Sequence, residues 1–263
     1  MLYTPGVMTR SIQNIQLWLA AVEGRDLRSP HIPPAPSEAD GDRPLQTARI
    51  AWTDSFGGLP ITDDTQHALE QLALRLTEQG CVIEKTCPQT IDYESAWETY
   101  GTLAAAWLAS RPTPLWPTLL PTLRKVAAGG PIIRGALRGN RLSLQQLAHT
   151  LAQRDRFTTQ LDQFMASWDA WICPVMPIPA FPHHPIAKPL AIPGQQLPYL
   201  LAGVGFTSLF TLTGHPVVVI PIGQTDHGLP IAMQLIGQRW GDRALLALAN
   251  QLVKLTGFKG RDA

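Results

Sequence analysis

Charge is scarce in this chain. Aspartate, glutamate, lysine and arginine make up 16% of the 263 residues, and 21 bases against 20 acids leave a formal net charge of +1. No broad basic field exists to hold a nucleic acid or an anionic membrane, so the composition points to a small or apolar partner. Cysteine is nearly absent as well. Cys81, Cys87 and Cys173 are an odd number, without the close pairing of a zinc site or a disulfide framework. Nothing at the start resembles a signal peptide, so a reduced cytoplasmic protein without metal or other cofactor is expected. Long hydrophobic runs are missing too. The most apolar stretch, residues 197 to 222, is cut by Gly203, Gly205, Gly214, Pro216 and Pro221. That excludes a span of about 20 lipid-facing residues and predicts a soluble chain with no membrane partner.

What is present is an alternation of short apolar runs and amphipathic helices. Ser11 can cap a helix whose apolar positions are Ile12, Ile15, Leu19 and Val22. The proline- and charge-rich stretch that follows, to about residue 44, has no periodicity and reads as an ordered crossing or exposed linker. "ARIAW" (48–52), a helix from about Asp63 to Gln79, Gly80 and "CVIEKT" (81–86) have the order of a right-handed βαβ unit. Residues 92 to 128 read as helical pieces broken by Pro112, Pro114, Pro117 and Pro121. A longer helix starts at Ser143, where Gln146 completes a capping box, and carries Leu144, Leu147, Leu151, Phe157, Leu161, Phe164 and Trp168 at helical spacing. "DAWICPV" (169–175) reads as a buried strand, and "LPYLLAGVGFTSLFTLTG" as a further apolar segment of undecided type. "PVVVIPIG" (216–223) and "PIAMQLIG" (230–237), joined by the turn-rich "QTDHGL", read as a hairpin. A last helix is capped by Asp242 and stopped at Gly257. Strands separated by helices, with a terminal hairpin, predict an α/β protein with a mixed sheet layered with helices.

The candidate sites each have a plainer reading. "FGGLP" (56–60) lies between strand and helix, where backbone N–H groups can bind phosphate, but it lacks both nucleotide-binding glycine spacings and is also a plain turn. His183 and His184 have no carboxylate or cysteine at metal-ligand spacing. His215, directly before a strand, could be held as a general base, yet no nucleophile accompanies it in sequence. Trp116, Trp168, Trp171 and Trp240 suit stacking on a ligand, and their apolar neighbours equally suit a core. None of the nine serines sits in a glycine-rich turn able to frame an oxyanion hole, and the five lysines read as peripheral. No catalytic pair is recognisable.

"GVMTRSIQNIQLWLAAVEGRD", "ICPVMPIPAFPH", "TLTGHPVVVIPIG" and "GLPIAMQLIGQRWGDRALLALANQL" together resemble the C-terminal part of the amidase signature family. The likeness runs in order through essentially all 263 residues. It implies a partial amidase-signature fold, with residues 1–263 the C-terminal portion of a single amidase domain. Family members hydrolyse amides through a serine nucleophile, a second serine joined by a cis peptide, and a lysine, all in the first half of the family's chain. The resemblance therefore carries no catalytic residue onto this sequence. It does carry the acyl-side pocket wall, which implies Met176, Pro177, Phe206, Thr207 and Trp240 as substrate-contact candidates; core packing is the alternative for each. Three positions depart from the family's pattern: Val7, Leu209 and Thr211 stand where proline, proline and asparagine are usual. An asparagine lost at Thr211 would leave buried backbone groups without a partner.

Three functional readings follow from that resemblance. The chain is the C-terminal portion of an amidase-signature hydrolase, inactive alone; or one subunit of a split amidase that works on a small-molecule amide once an N-terminal half is supplied; or a non-catalytic interaction protein. Without the first half, the helix at Ile12, Ile15 and Leu19 and a sheet edge are expected to be uncovered, leading to self-association.

Overall fold

The computed structural model describes residues 6–24, 44–110, 130–185, 188–192 and 194–256. The expected proline-rich crossing, the broken helical pieces with Trp116, and the stop at Gly257 fall largely or wholly outside them.

Strand β1 (Arg49–Trp52), helix α1 (Ile12–Val22) before it, helix α2 (Asp63–Glu78) and strand β2 (Val82–Lys85) open the fold. β1 and β2 pair in parallel across α2, which completes the expected βαβ unit. Gly80, at a φ of +86°, supplies the left-handed turn that ends α2, where a side chain would be strained. Helices α3 (Tyr93–Ala109), α4 (Pro131–Gly139) and α5 (Leu144–Met165) follow, then β3 (Ala170–Pro174), whose five residues are all buried. β3 pairs in parallel with β1 on its other side. A small hairpin, β4 (Leu190–Ile192) with β5 (Gln195–Leu197), precedes helix α6 (Tyr199–Thr213). Strands β6 (Val217–Gln224) and β7 (Pro230–Ile236) form the expected hairpin, and α7 (Asp242–Thr256) closes the described chain. β7 turns inward and runs antiparallel to β3, so the sheet order is β2-β1-β3-β7-β6. This is the expected α/β architecture with a mixed sheet.

The strands' twofold alternation divides the core into two layers. On one face Ala51, Trp171 and Cys173 pack with Phe157 and Leu161 of α5 and Phe206, Leu209 and Phe210 of α6. On the other, Ile50, Ile172, Ile220 and Leu235 pack with Leu69, Leu72 and Leu76 of α2 and Leu245, Ala249 and Leu252 of α7. α3 and α4 approach so closely that a Cβ on Gly135 would stand 2.0 Å from the Glu98 carbonyl oxygen, and one on Gly101 2.1 Å from that of Ile132.

Four expectations need correction. α1 is not left uncovered: Ile12 is buried, and Ile15 and Leu19 pack with it against the second layer. Gln13 Nε2 donates to Asn250 Oδ1 at 2.8 Å and Arg243 pairs with Glu23, so α7 supplies the surface that the start of the chain was expected to lack. Val22 instead faces solvent. Leu144 is also exposed, because the first turn of α5 stands clear of the core; the capping box of Ser143 and Gln146 still starts that helix as expected. Thr211 lies on the exposed side of α6, its hydroxyl donating to the Thr207 carbonyl, so the side chain there stands over solvent and not over buried backbone groups.

Candidate functional site

β1, β2 and β3 run the same way, so their C-terminal ends deliver three loops to one end of the sheet: residues 53–62, 86–92 and 175–185. In sheets of this kind that end is where ligands usually bind. Hydrogen bonds brace the first of these loops and tie it to β3 and to the third loop. Thr53 N donates to the Ile172 carbonyl and Thr62 N to the Pro177 carbonyl, both at 2.9 Å, and Ser55 Oγ donates to the Leu59 carbonyl at 2.6 Å. Within "FGGLP", Phe56 stacks on Tyr93 with ring centroids 5.0 Å apart and meets Phe206 edge-on at 5.0 Å. Gly57, at a φ of +61°, lies where a Cβ would come within 2.6 Å of Trp97 Cη2 and 2.7 Å of Tyr93 Cβ. Its glycine answers a close approach of aromatic rings, which is the turn reading of that motif.

The pocket-wall candidates divide between the two ends of the sheet. Met176 is half-buried and Pro177 buried, immediately past the end of β3. Phe206 and Thr207 lie on α6 above the same strands; the Phe206 ring is wholly buried in the aromatic layer, and Thr207 is half-buried with its hydroxyl donating to the Val204 carbonyl. Trp240 lies elsewhere. β7 is antiparallel to β3, so the loop that follows it returns to the end where β3 begins, and Trp240 stands there 55% exposed in the left-handed region at a φ of +68°. That conformation is uncommon for a bulky residue and costs on the order of 1–3 kcal/mol. The exposure also removes Trp240 from the core reading, while Trp168 and Trp171 are buried.

One residue that joins this region was passed over in the sequence. Gln234, inside the apolar strand β7, is buried, and its Nε2 donates to the Pro174 carbonyl at 2.8 Å and the Phe206 carbonyl at 3.1 Å. A lone amide in "PIAMQLIG" was the available signal, since a buried polar side chain needs partners. Trp97 Nε1 likewise donates to the Gly205 carbonyl at 2.9 Å, so side chains from α3 and β7 hold the middle of α6 over the strand ends.

His215 belongs to the opposite end. It is 5% exposed, and its Nδ1 lies 3.0 Å from Thr213 Oγ1, which itself donates to the Leu209 carbonyl. Nε2 stands 3.3 Å from Asp162 Oδ1 but out of line for a hydrogen bond, while Arg239 grips Asp162 through two bonds of 2.9 and 2.7 Å. Burial lowers the pKa of His215 to about 4, against a smaller upward pull from Asp162, and Arg239 lowers it further. The imidazole is neutral at pH 7 and enclosed, a clasp between α5, α6 and the loop after β7.

Several nucleophile candidates are already engaged or suppressed. Burial pushes the thiols of Cys81, Cys87 and Cys173 upward, away from the reactive thiolate. Ser11 and Ser143 cap helices, Ser95 donates to Asp92, Ser110 to the Trp107 carbonyl and Ser208 to the Gly205 carbonyl. Lys85 pairs with Asp54 at 2.6 Å. His184 stacks on Tyr199, and among the described residues no three His, Cys, Asp or Glu side chains converge as metal ligands. No described helix is long and apolar enough to cross a membrane. A separate polar cleft of about 410 Å³ opens between α3, α4 and α5, lined by Glu98, Thr99, Arg138, His149 and Gln153.

Comparison with known proteins adds what the geometry alone does not name. A Synechocystis sp. protein that carries the amidase name is 25% identical over 254 residues, covering 94% of this chain and 46% of its own length. A bacterial aryl acylamidase of the amidase signature family shares the fold with a TM-score of 0.67 and 19% identity, over 99% of this chain and 57% of that one. A 6-aminohexanoate cyclic dimer hydrolase does so with a TM-score of 0.67 and 18% identity, over 95% of this chain and 54% of that one. The chain thus spans about half the length of these relatives. The family model described as Amidase matches residues 1–246, and the chain belongs to the amidase family.

Proposed function

We propose that this chain forms the acyl-side pocket wall of an amidase that hydrolyses the C–N bond of a small-molecule amide, and that it does not turn over substrate without a segment bearing the nucleophile. Met176 and Thr207 face the substrate in this reading, and the buried Pro177 and Phe206 back them. Trp240 is left out, because the sheet separates it from the others. The observation that carries the reading is the engagement of the side chains: the hydroxyls of Ser11, Ser55, Ser95, Ser110, Ser143 and Ser208 are each bonded within their own cap, turn or helix, and Lys85 is held by Asp54. Attack on a planar amide needs an activated nucleophile, and none of these is one.

The test is an assay of the purified 263-residue chain against a panel of aryl and aliphatic amides. No turnover is expected. Turnover that disappears on substituting any serine or lysine of the chain overturns the reading.

A further inference from the structure

The polar cleft between α3, α4 and α5 shares no lining residue with the pocket wall, and its lining follows from helical spacing. Ser95, Thr99 and Thr102 are four and three residues apart on α3, and Gln145, His149 and Gln153 are four apart on α5, so each set forms one stripe. Both stripes line the same space of about 410 Å³, where packed helices ordinarily interdigitate apolar side chains. Leu142 is the one apolar residue among the described residues that line it. Thr99 points to a ligand. Its neighbours in the cleft bond back along their helices as helical threonines usually do: Thr102 Oγ1 donates to the Glu98 carbonyl at 2.8 Å and to the Gly135 carbonyl at 3.1 Å, and Thr150 Oγ1 to the Gln146 carbonyl at 2.7 Å. Thr99 is only 3% exposed, yet its hydroxyl has no hydrogen-bond partner among the described residues. A buried hydroxyl left without a partner is costly, so it calls for one from the cleft.

We propose that this cleft binds an uncharged, polyhydroxylated small molecule of monosaccharide size, with one ligand hydroxyl bonded to Thr99 and others to Gln145 and Gln153. The chemistry of the wall selects that class. Gln145 and Gln153 also have no partner among the described residues, and each offers an acceptor and two donors. A ligand hydroxyl donates and accepts as well, so it matches all three side chains. Charge is neutralised within the wall: Arg138 Nη1 meets Glu98 Oε2 at 2.8 Å, and Arg134 Nε takes Glu98 Oε1 at 2.7 Å. An ionic ligand would have to compete with these pairs. Most small-molecule sites are lined chiefly by apolar groups, and a wall as polar as this one suits a ligand with polar groups on all sides.

The experiment titrates the full chain, labelled with nitrogen-15, with D-glucose and with myo-inositol up to about 50 mM, a range that reaches millimolar affinities, and with inorganic phosphate at constant ionic strength as the charged comparison. Saturable amide shifts are expected at residues 95–102 and 145–153 with at least one of the two polyols, and not with phosphate. Thr99→Val exchanges the hydroxyl for a methyl of similar shape and should weaken binding about fivefold or more. Thr159→Val, at an exposed position of α5 outside the cleft, should leave it unchanged. A thermal melt of each variant checks its fold, and Thr99→Val is expected to melt no lower than wild type, because it gives up no bond within the chain. Saturable phosphate binding at these residues, shifts confined to other parts of the chain, polyol binding that survives Thr99→Val, a marked loss of stability in that variant, or no saturable binding of either polyol overturns the proposal.

Discussion

Where β1, β2 and β3 end, the chain is held by aromatic rings and backbone hydrogen bonds; where they begin, it is held by a histidine beside an ion pair. The first end has Phe56 between Tyr93 and Phe206, and Pro177 bonded to Thr62. The second has His215 and Arg239 converging on Asp162. Dense packing of rings tolerates no added atom but is indifferent to pH and salt. The charged cluster accepts small changes of shape and responds to protons. The comparison teaches that a site formed at the strand ends would rest on shape, and that the acid sensitivity of the fold lies away from it.

The largest effect should come from adding one methyl group at the aromatic end. Gly57→Ala puts a Cβ 2.6 Å from Trp97 at a φ of +61°. Left-handed strain and overpacking together should remove about 4 kcal/mol of stability, read by denaturant unfolding. A loss below about 1 kcal/mol would mean that the aromatic end yields more easily than its packing implies.

The clasp should dominate the response to acid. His215 is neutral in the fold with a pKa lowered to about 4, whereas in the unfolded chain it takes up its proton near its ordinary value of 6.5. The unfolded state thus binds more protons between these values. The contribution is complete above pH 6.5, declines as the pH falls, and levels off below about pH 4. Wild type should lose about 3 kcal/mol across that window from this group, and His215→Asn should abolish that share. Equal slopes in the two proteins would clear His215 of the role.

The smallest effect should be at the ion pair itself. Asp162 and Arg239 are each about one-third exposed, so water screens their attraction. Asp162→Asn should cost about 0.5–1 kcal/mol at pH 7 and less at high salt. Because Asp162 is the group that draws the pKa of His215 upward, the variant should also show the acid decline displaced to lower folded-state pKa. A salt-independent loss of several kcal/mol would show that the carboxylate is a buried anchor and the contrast between the ends is weaker than drawn.

Local pattern carried much of the architecture. The βαβ unit, the capping box at Ser143, the buried strand at 170–174 and the final hairpin all follow from residue order, because each depends on neighbours a few positions apart. α6 did not, since a helix buried nearly all round has no polar face to reveal its period. β4 and β5, three residues each, are too short for alternation to register. Of the candidate site, Met176, Pro177, Phe206 and Thr207 were reached through family resemblance, while Gln234 was visible only as an amide among apolar residues.

Caps and periodicity depend on covalent order and the small net charge on composition, and the sequence by itself determined them, together with membership of the amidase family. Tertiary structure alone decided that β7 lies inside β6 and antiparallel to β3, and this pairing sends Trp240 away from Met176 and leaves β6 at the edge. It alone decided, too, that α7 covers Ile12. The physical reason is the same in each case: hydrogen bonding between strands and burial between helices join residues tens to hundreds of positions apart, and no local pattern encodes the direction in which such partners meet.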